Sequence, residues 1–331
     1  SAAKLTTDDT NSFSDVFLHD RDPDQNGVFD ENNSTTIRVS QSGTDTTLSN
    51  NSNFPSISRN GQYLVFSSLD ATLVSNDTNV LQDIFIYNIQ THVTERVSVT
   101  SSGQQADNES SFASLSEDGR YVAFISAATN LVSGDSNGKD DVFVRDRVLN
   151  TTVRASVSNT EQPSAAASTN PVISGDGRYV SFISDSGSLT TQAAPVVFDA
   201  ITAASGGGGG GGPEIKQVIY RRDLTQQTTV RVSSNNSGAN GDGRYTSLTV
   251  SADGMIAAFA SSASNLSCTT DANSVIDVFV RDMNTTTAAL CGSSSNTAAT
   301  KKGGGVVLLW TVLALFILNV FLRNLPLRLA R

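Results

Sequence analysis

The sequence predicts an all-β protein in which one four-stranded unit is repeated along the chain. Three observations predict it: an Asn-Gly or Asp-Gly dipeptide recurs ahead of an alternating apolar run, a run like Asp-Val-Phe-Val-Arg-Asp follows it at a nearly fixed distance, and Arg-Val-Ser or Arg-Ala-Ser follows that. Strict alternation marks a half-buried strand, and self-similarity at a period of 20 to 50 residues or slightly more marks a repeat architecture.

The first block reads "SRNGQYLVFSS", "SEDGRYVAFIS", "SGDGRYVSFIS" and "SADGMIAAFAS", with turn dipeptides at Asn60-Gly61, Asp118-Gly119, Asp176-Gly177 and Asp253-Gly254. Such dipeptides tolerate positive φ, so each block is expected to be strand, two-residue turn, strand. "NGDGRY" at Asn240–Tyr245 imitates the block, but no alternating apolar strand is expected after it. The second block begins at Asp15, Asp83, Asp141, Val218 and Asp277, and lies 22 residues after Gly61 and Gly119 and 23 after Gly254. The third starts at Arg96, Arg154 and Arg231, eight residues after the second ends. Four strands per unit are thereby defined.

Steps between second blocks are 68, 58, 77 and 59 residues, so two inserts of about 10 and 19 residues sit on a base of 58. Loops on a fixed strand framework accept such inserts. The longer one holds the Gly206–Gly212 run, which reads as a flexible tether with no helix or strand. The shorter one lies between Asp20 and Arg38.

The order Pro-x-x-Ser, Asp-Gly-Arg-Tyr-Val-x-Phe, Asp-Val-Phe-Val-Arg-Asp, Thr-x-Arg-Val-Ser resembles the repeats of TolB-like, WD40-like β-propellers, over about Lys4 to Gly292. The resemblance implies one four-stranded blade per repeat, innermost strand first. Blades packed around an axis bury both of their faces, which a single blade cannot. The expectation is four complete blades and a partial N-terminal one, with the last blade holding all four of its strands by Cys291. The chain opens at Ser1 without an initiator Met or signal segment, and upstream blades are expected to precede it.

"DPDQNGVFDE" occupies the shorter insert. Asp22, Asp24 and Asn26 alternate, Gly27 supplies a sharp turn, the Val28 carbonyl can point inward, and Asp30 takes the ninth position. This order wraps oxygen ligands around Ca²⁺. Asn33 stands where an EF-hand has its bidentate Glu, so the loop resembles the shorter calcium loops of propeller hairpins. A solvated Asp/Asn turn is the other reading.

On the opposite face of the disc, the loops between second and third strands repeat acids and amides: Asp8, Asp9 and Asn11; Asn76, Asp77 and Asn79; Asp135, Asn137 and Asp140; Asp271 and Asn273. They form a candidate ring for cations or polar ligands, or are solvated Asx turns. Cys268 and Cys291 fall on this face, either bridged or as free thiols. Phe66, Phe124, Phe143, Phe182 and Phe259 read as core. Arg145, Arg222 and Arg281 read as structural partners of the adjacent Asp146, Asp223 and Asp282. His19 and His92 have no nucleophile motif beside them and read as strand residues.

Residues 293–305 read as a Ser/Gly-rich linker, Val306–Leu322 as a transmembrane or sorting helix about 26 Å long, and 323–331 as a basic tail. With Gly303-Gly304-Gly305 ahead of it, this end resembles bacterial sorting tails of the glycine-glycine type. Positive-inside bias places the propeller outside the cytoplasm. With 22 basic against 32 acidic residues the net charge is −10, which argues against a nucleic-acid partner. The expected function is therefore an extracytoplasmic, membrane-tethered, Ca²⁺-stabilised binding module for protein or polysaccharide at the cell surface. A propeller-type polysaccharide lyase, a hydrolase-associated propeller and a structural surface protein are the alternatives.

Overall fold

A computed structural model describes residues 5–6, 9, 11–29, 32–41, 50–187, 189–190, 217–235, 238–266 and 275–284, together with the backbone of 198–201. The chain divides into two units, Ser1–Cys291 and Gly292–Arg331, and every described residue belongs to the first. The expected linker, helix and basic tail, and both cysteines, lie outside the described residues.

All regular structure among the described residues is β. A half blade pairs β1 (Phe17–Asp20) with β2 (Thr35–Arg38). Blade I is β3 (Ser52–Ile57), β4 (Tyr63–Ser68), β5 (Asp83–Asn88) and β6 (Val93–Arg96). Blade II is β7 (Ser110–Leu115), β8 (Tyr121–Ser126), β9 (Asp141–Asp146) and β10 (Thr151–Arg154). Blade III begins with β11 (Ser168–Ile173) and β12 (Tyr179–Ser184). After β13 (Phe198–Ile201), it is completed by β14 (Val218–Asp223) and β15 (Thr228–Arg231). Blade IV contains β16 (Tyr245–Val250), β17 (Ile256–Ser261) and β18 (Asp277–Asp282). Within each sheet neighbouring strands are antiparallel, and β7, β11 and β16 each pack on strands of the preceding blade.

Alternation of the strands explains the four interblade cores. Middle strands are buried on both faces, so β4, β5, β8, β9 and β12 are almost wholly buried while the outer β6 and β10 alternate with solvent. Val65, Ile84 and Ile86 of blade I meet Val122, Phe124 and Phe143 of blade II, and Val142 and Val144 of blade II meet Val180, Phe182 and Tyr220 of blade III. The expected core phenylalanines are all buried. Within each blade the aromatic of the second strand lies about one ring-width from that of the third, at 5.9 Å for Phe66–Phe85 and 6.0 Å for Phe124–Phe143. Burying such a side chain contributes about 1.5–3 kcal/mol.

Three expectations are corrected. The Asp-Gly turns are not two-residue turns. In blade I the Gly61 amide donates to the Ser58 carbonyl and the Ser58 amide to the Tyr63 carbonyl, closing a four-residue loop in which Gly61, at φ 70°, takes the left-handed position and Asn60 does not. Blades II, III and IV repeat this at Gly119, Gly177 and Gly254. The Asp instead organises the loop with its side chain: Asp118 Oδ1 accepts from Ser116 Oγ at 2.6 Å and the Arg120 amide at 3.0 Å.

Secondly, a strand does follow "NGDGRY". It is β16, the first strand of blade IV, and Gly243 lacks a positive φ. Its Cβ would stand 2.3 Å from the Ala263 amide nitrogen, so this glycine serves close backbone approach. Thirdly, the fourth position of blade IV, beside β18, is taken by a strand from earlier in the chain. β13, inside the long insert, pairs antiparallel with β18, from Phe198 opposite Arg281 to Ile201 opposite Val278. An open strand edge accepts any chain of suitable β propensity, and "VVFDAI" has it.

Candidate functional site

The proposed metal loop connects β1 to β2. The Asp22 carboxylate accepts from the amides of Asn26 at 3.0 Å and Gly27 at 2.9 Å, and its carbonyl accepts from the Gln25 amide at 3.0 Å. Gln25 and Gly27 have positive φ, at 56° and 83°. Asn26 donates its side-chain amide to Asp24 Oδ2 at 3.0 Å and accepts from the Val28 amide at 2.7 Å. Asp22, Asp24, Asn26 and Val28 are thus brought together, while Asp30 lies outside the described residues. Among the described residues no group of three His, Cys, Asp or Glu is placed to hold a metal ion.

The acidic loops of the opposite face have a structural use. Arg96 pairs with Asp77 at 3.1 Å and Asp83 at 3.5 Å, and Arg154 pairs with Asp135 at 2.9 Å and Asp141 at 3.3 Å. Ser98 and Ser156 complete each cluster, donating to Asp83 at 2.5 Å and Asp141 at 2.6 Å while accepting from the Ile84 and Val142 amides. The Asp that opens the second block and the Arg-x-Ser of the third are therefore one buried brace. Burial pushes the Asp83 carboxyl up to about 6, outweighing the Ser98 hydrogen bond and Arg96. Asn137 belongs to the same bracing, donating to Asp141 at 2.7 Å and the Ser164 carbonyl at 3.0 Å. Asp8, Asp271 and Asn273 lie outside the described residues.

The expected Arg–Asp pairs of adjacent residues do not form, because neighbours on a strand point to opposite faces. Asp146 is held by Arg120 through two bonds of 3.0 and 2.7 Å, and Asp223 by Arg178. Burial raises the Asp146 carboxyl, but Arg120 and the Leu149 and Val148 amides more than offset it and leave it below the usual carboxylate range. Arg145 reaches instead to the preceding blade's Thr100 carbonyl at 3.2 Å, and Arg281 reaches the Ser234 carbonyl at 2.9 Å. His92 bonds the Tyr87 hydroxyl at 2.5 Å and His19 bonds Thr36 at 2.8 Å.

A latch joins successive blades at the turns. The ring of Tyr63 occupies the place a Cβ on Gly119 would take, 2.4 Å from its nearest atom. Tyr121 lies against Gly177 and Tyr179 against Gly254 in the same way. Guanidinium groups cover these rings, Arg147 over Tyr63 and Arg120 over Tyr121, each at 4.7 Å.

One constellation was missed by sequence reasoning. Each of β3, β7 and β11 is bulged, with residues 54–55, 112–113 and 170–171 opposing single residues of the next strand. The first residue of each bulge has positive φ: Phe54 at 53°, Phe112 at 50° and Asn170 at 51°. That conformation suits glycine or asparagine, and a bulky residue there is strained by about 1–3 kcal/mol. Phe54 and Phe112 are nevertheless 46% and 44% exposed, with ring centroids 4.1 Å apart. Beside Phe112 lies a cavity of about 290 Å³ between blades II and III, which Glu109, Asp140 and Asn170 also line. The constant spacing of 58 residues from Phe54 to Phe112 to Asn170 was the available signal.

The blades and their serial packing make this unit a β-propeller module. No family model matches the chain, and no curated protein matches it. Among solved structures, a TolB homologue described as putative, from Agrobacterium tumefaciens, is 16% identical over 69% of this chain and 58% of its own, with a TM-score of 0.37. The tricorn protease is 10% identical over 69% and 16%, with a TM-score of 0.39. Dipeptidyl peptidase 4 of Porphyromonas gingivalis is 12% identical over 66% and 29%, with a TM-score of 0.37. The chain thus spans little more than half of the first and under a third of the two peptidases. At TM-scores this low the likenesses carry no weight of their own beside the observed sheets.

Proposed function

We propose that this protein is an extracytoplasmic, membrane-tethered and calcium-stabilised β-propeller, at the bacterial periplasm or cell surface, that works by binding a protein or polysaccharide partner. The observation that carries the binding role is the Phe54–Phe112 pair. Two large apolar rings are kept about half in water on strained backbone, at a position where Asn170 satisfies the same fold. Strain and exposure that folding does not need are features of recognition surfaces.

Calcium is supported by the Asp22–Val28 loop, already wound about Gly27 with oxygen-bearing side chains gathered; Asp22, Asp24, Asn26, the Val28 carbonyl and Asp30 would hold the ion. Bound there, Ca²⁺ would order the hairpin and perform no chemistry. The membrane tether and location are supported by the apolar run Val306–Leu322 and the arginines after it.

The test is retention of envelope protein and polysaccharide fractions on the immobilised full chain, beside the Phe54→Asn/Phe112→Asn variant. Saturable retention lost in the variant is expected. Turnover of a polysaccharide or peptide without retention would replace the binding reading with an enzymatic one.

A further inference from the structure

We propose that the cavity between blades II and III takes the guanidinium of an arginine side chain presented by a partner polypeptide; this rests on the binding reading above and specifies its ligand chemistry. The cavity opens where β7 and β11 lie side by side, and its lining combines an exposed ring, Phe112, with two acidic residues that are themselves exposed, Glu109 and Asp140, and the polar Ser111, Thr169 and Asn170. No lysine or arginine lines it.

Both carboxylates stand on fixed backbone. The Glu109 carbonyl accepts from the Ala127 amide at 3.0 Å and the Ser126 hydroxyl at 3.0 Å, and the Asp140 carbonyl accepts from the Ser168 amide at 2.8 Å. Asp140 therefore lies at the junction where blade II is sewn to the first strand of blade III. The ring is fixed as well, by its bulge and by its contact with Phe54. A ring face attracts a cation, and anionic oxygens beside it select one whose planar fork stacks and hydrogen-bonds at once, which guanidinium does and ammonium does not. A net charge of −10 further favours the approach of a basic partner.

The three blades explain why Phe112 is the discriminating residue. At the same bulge position blade III carries Asn170, an amide that tolerates the left-handed conformation and lines the far side of the same cavity. Phe112→Asn therefore reproduces a residue the fold already accepts there and removes only the platform.

The experiment is calorimetric titration of the full chain in detergent with acetyl-Gly-Arg-Gly-amide, its lysine and citrulline counterparts, and a neutral oligosaccharide. Saturable binding of the arginine peptide is expected, with the lysine peptide weaker and the citrulline peptide at least tenfold weaker. Phe112→Asn should weaken arginine binding roughly fivefold without lowering the melting temperature. Glu109→Gln/Asp140→Asn should abolish the preference over citrulline and the salt dependence with it. Equal binding of arginine and citrulline peptides, or unchanged binding in Phe112→Asn, would overturn the proposal. Oligosaccharide binding that Phe112→Asn abolishes would overturn the arginine assignment and leave the binding module standing. An arginine peptide, an oligosaccharide and envelope fractions that all fail to bind would overturn both.

Discussion

Gly177 and Gly61 have nearly the same backbone, at φ 74° and 70°, but different surroundings, and this separates two reasons for a glycine. An alanine at Gly61 would meet nothing within 4 Å, so Gly61→Ala costs only the left-handed conformation, about 1–2 kcal/mol. At Gly177 the added Cβ would stand 2.0 Å from Tyr121 Cδ2 and 2.7 Å from its Cε2 and Cγ. The ring must leave, and with it goes the stacking with Arg120. Overpacking adds about 1–3 kcal/mol, and the lost cation–π contact about 0.5–1 kcal/mol. Gly177→Ala should therefore cost about 2.5–6 kcal/mol. Urea midpoints of the full chain, read by far-UV circular dichroism, measure the difference. In a Tyr121→Ala background the cost of Gly177→Ala should fall to that of Gly61→Ala. Equal losses for the two glycines, or no relief on removing Tyr121, would refute the latch.

Asp83 sets a pH dependence. Its folded-state carboxyl is raised to about 6 from 3.8, so the stability it contributes is complete below about pH 4 and is lost as pH rises through about 6. The stability advantage of wild type over Asp83→Asn should shrink from pH 4 to 6.5 in urea titrations; growth across that window would mean that the Arg96 pairing dominates. Asp146, held below its ordinary range, has the opposite sign: its contribution is present above the unfolded value and is lost on acidification, so Asp146→Asn should resemble wild type most at low pH. Arg145→Met removes the guanidinium that donates to the buried Thr152 hydroxyl and to the Thr100 carbonyl, which keeps only the Gly103 amide. It should lower stability by about 1–3 kcal/mol in the same assay. Calcium should raise the wild-type melting temperature and not that of Asp22→Ala/Asp24→Ala. For affinity on the order of 10⁻⁴ M, a hundredfold excess contributes about 2.7 kcal/mol.

The strand framework was legible because its signals are local. Period-two alternation gave the middle strands, and the Asp-Gly dipeptides gave the turns, although their loop length was misjudged because Asp118 and its counterparts act through side chains and not through positive φ. Partnerships were less legible. Arg145 and Asp146 are adjacent in sequence and opposed in space, whereas Asp141, Arg154 and Ser156 meet only because β9 and β10 pair in one register. The fourth position of blade IV could not be read at all, since β13 comes from before β14 and joins β18 across the whole of blade III's outer half. Phe54 and Phe112 went unread for a different reason. An aromatic in a strand reads as core, and only the bulge turns it outward.

The tyrosine-on-glycine contacts run one way. Blades I, II and III each hand a ring to the blade after them, and blade IV, with Ile256 at the corresponding position, receives a ring from Tyr179 and has none to give. Blade order is therefore a grammar and not merely a sequence of equivalent units. A duplicated blade II spliced between II and III would find both a donor before it and an acceptor after it, whereas a copy of blade IV in that place would leave the following glycine facing a gap the size of an aromatic ring.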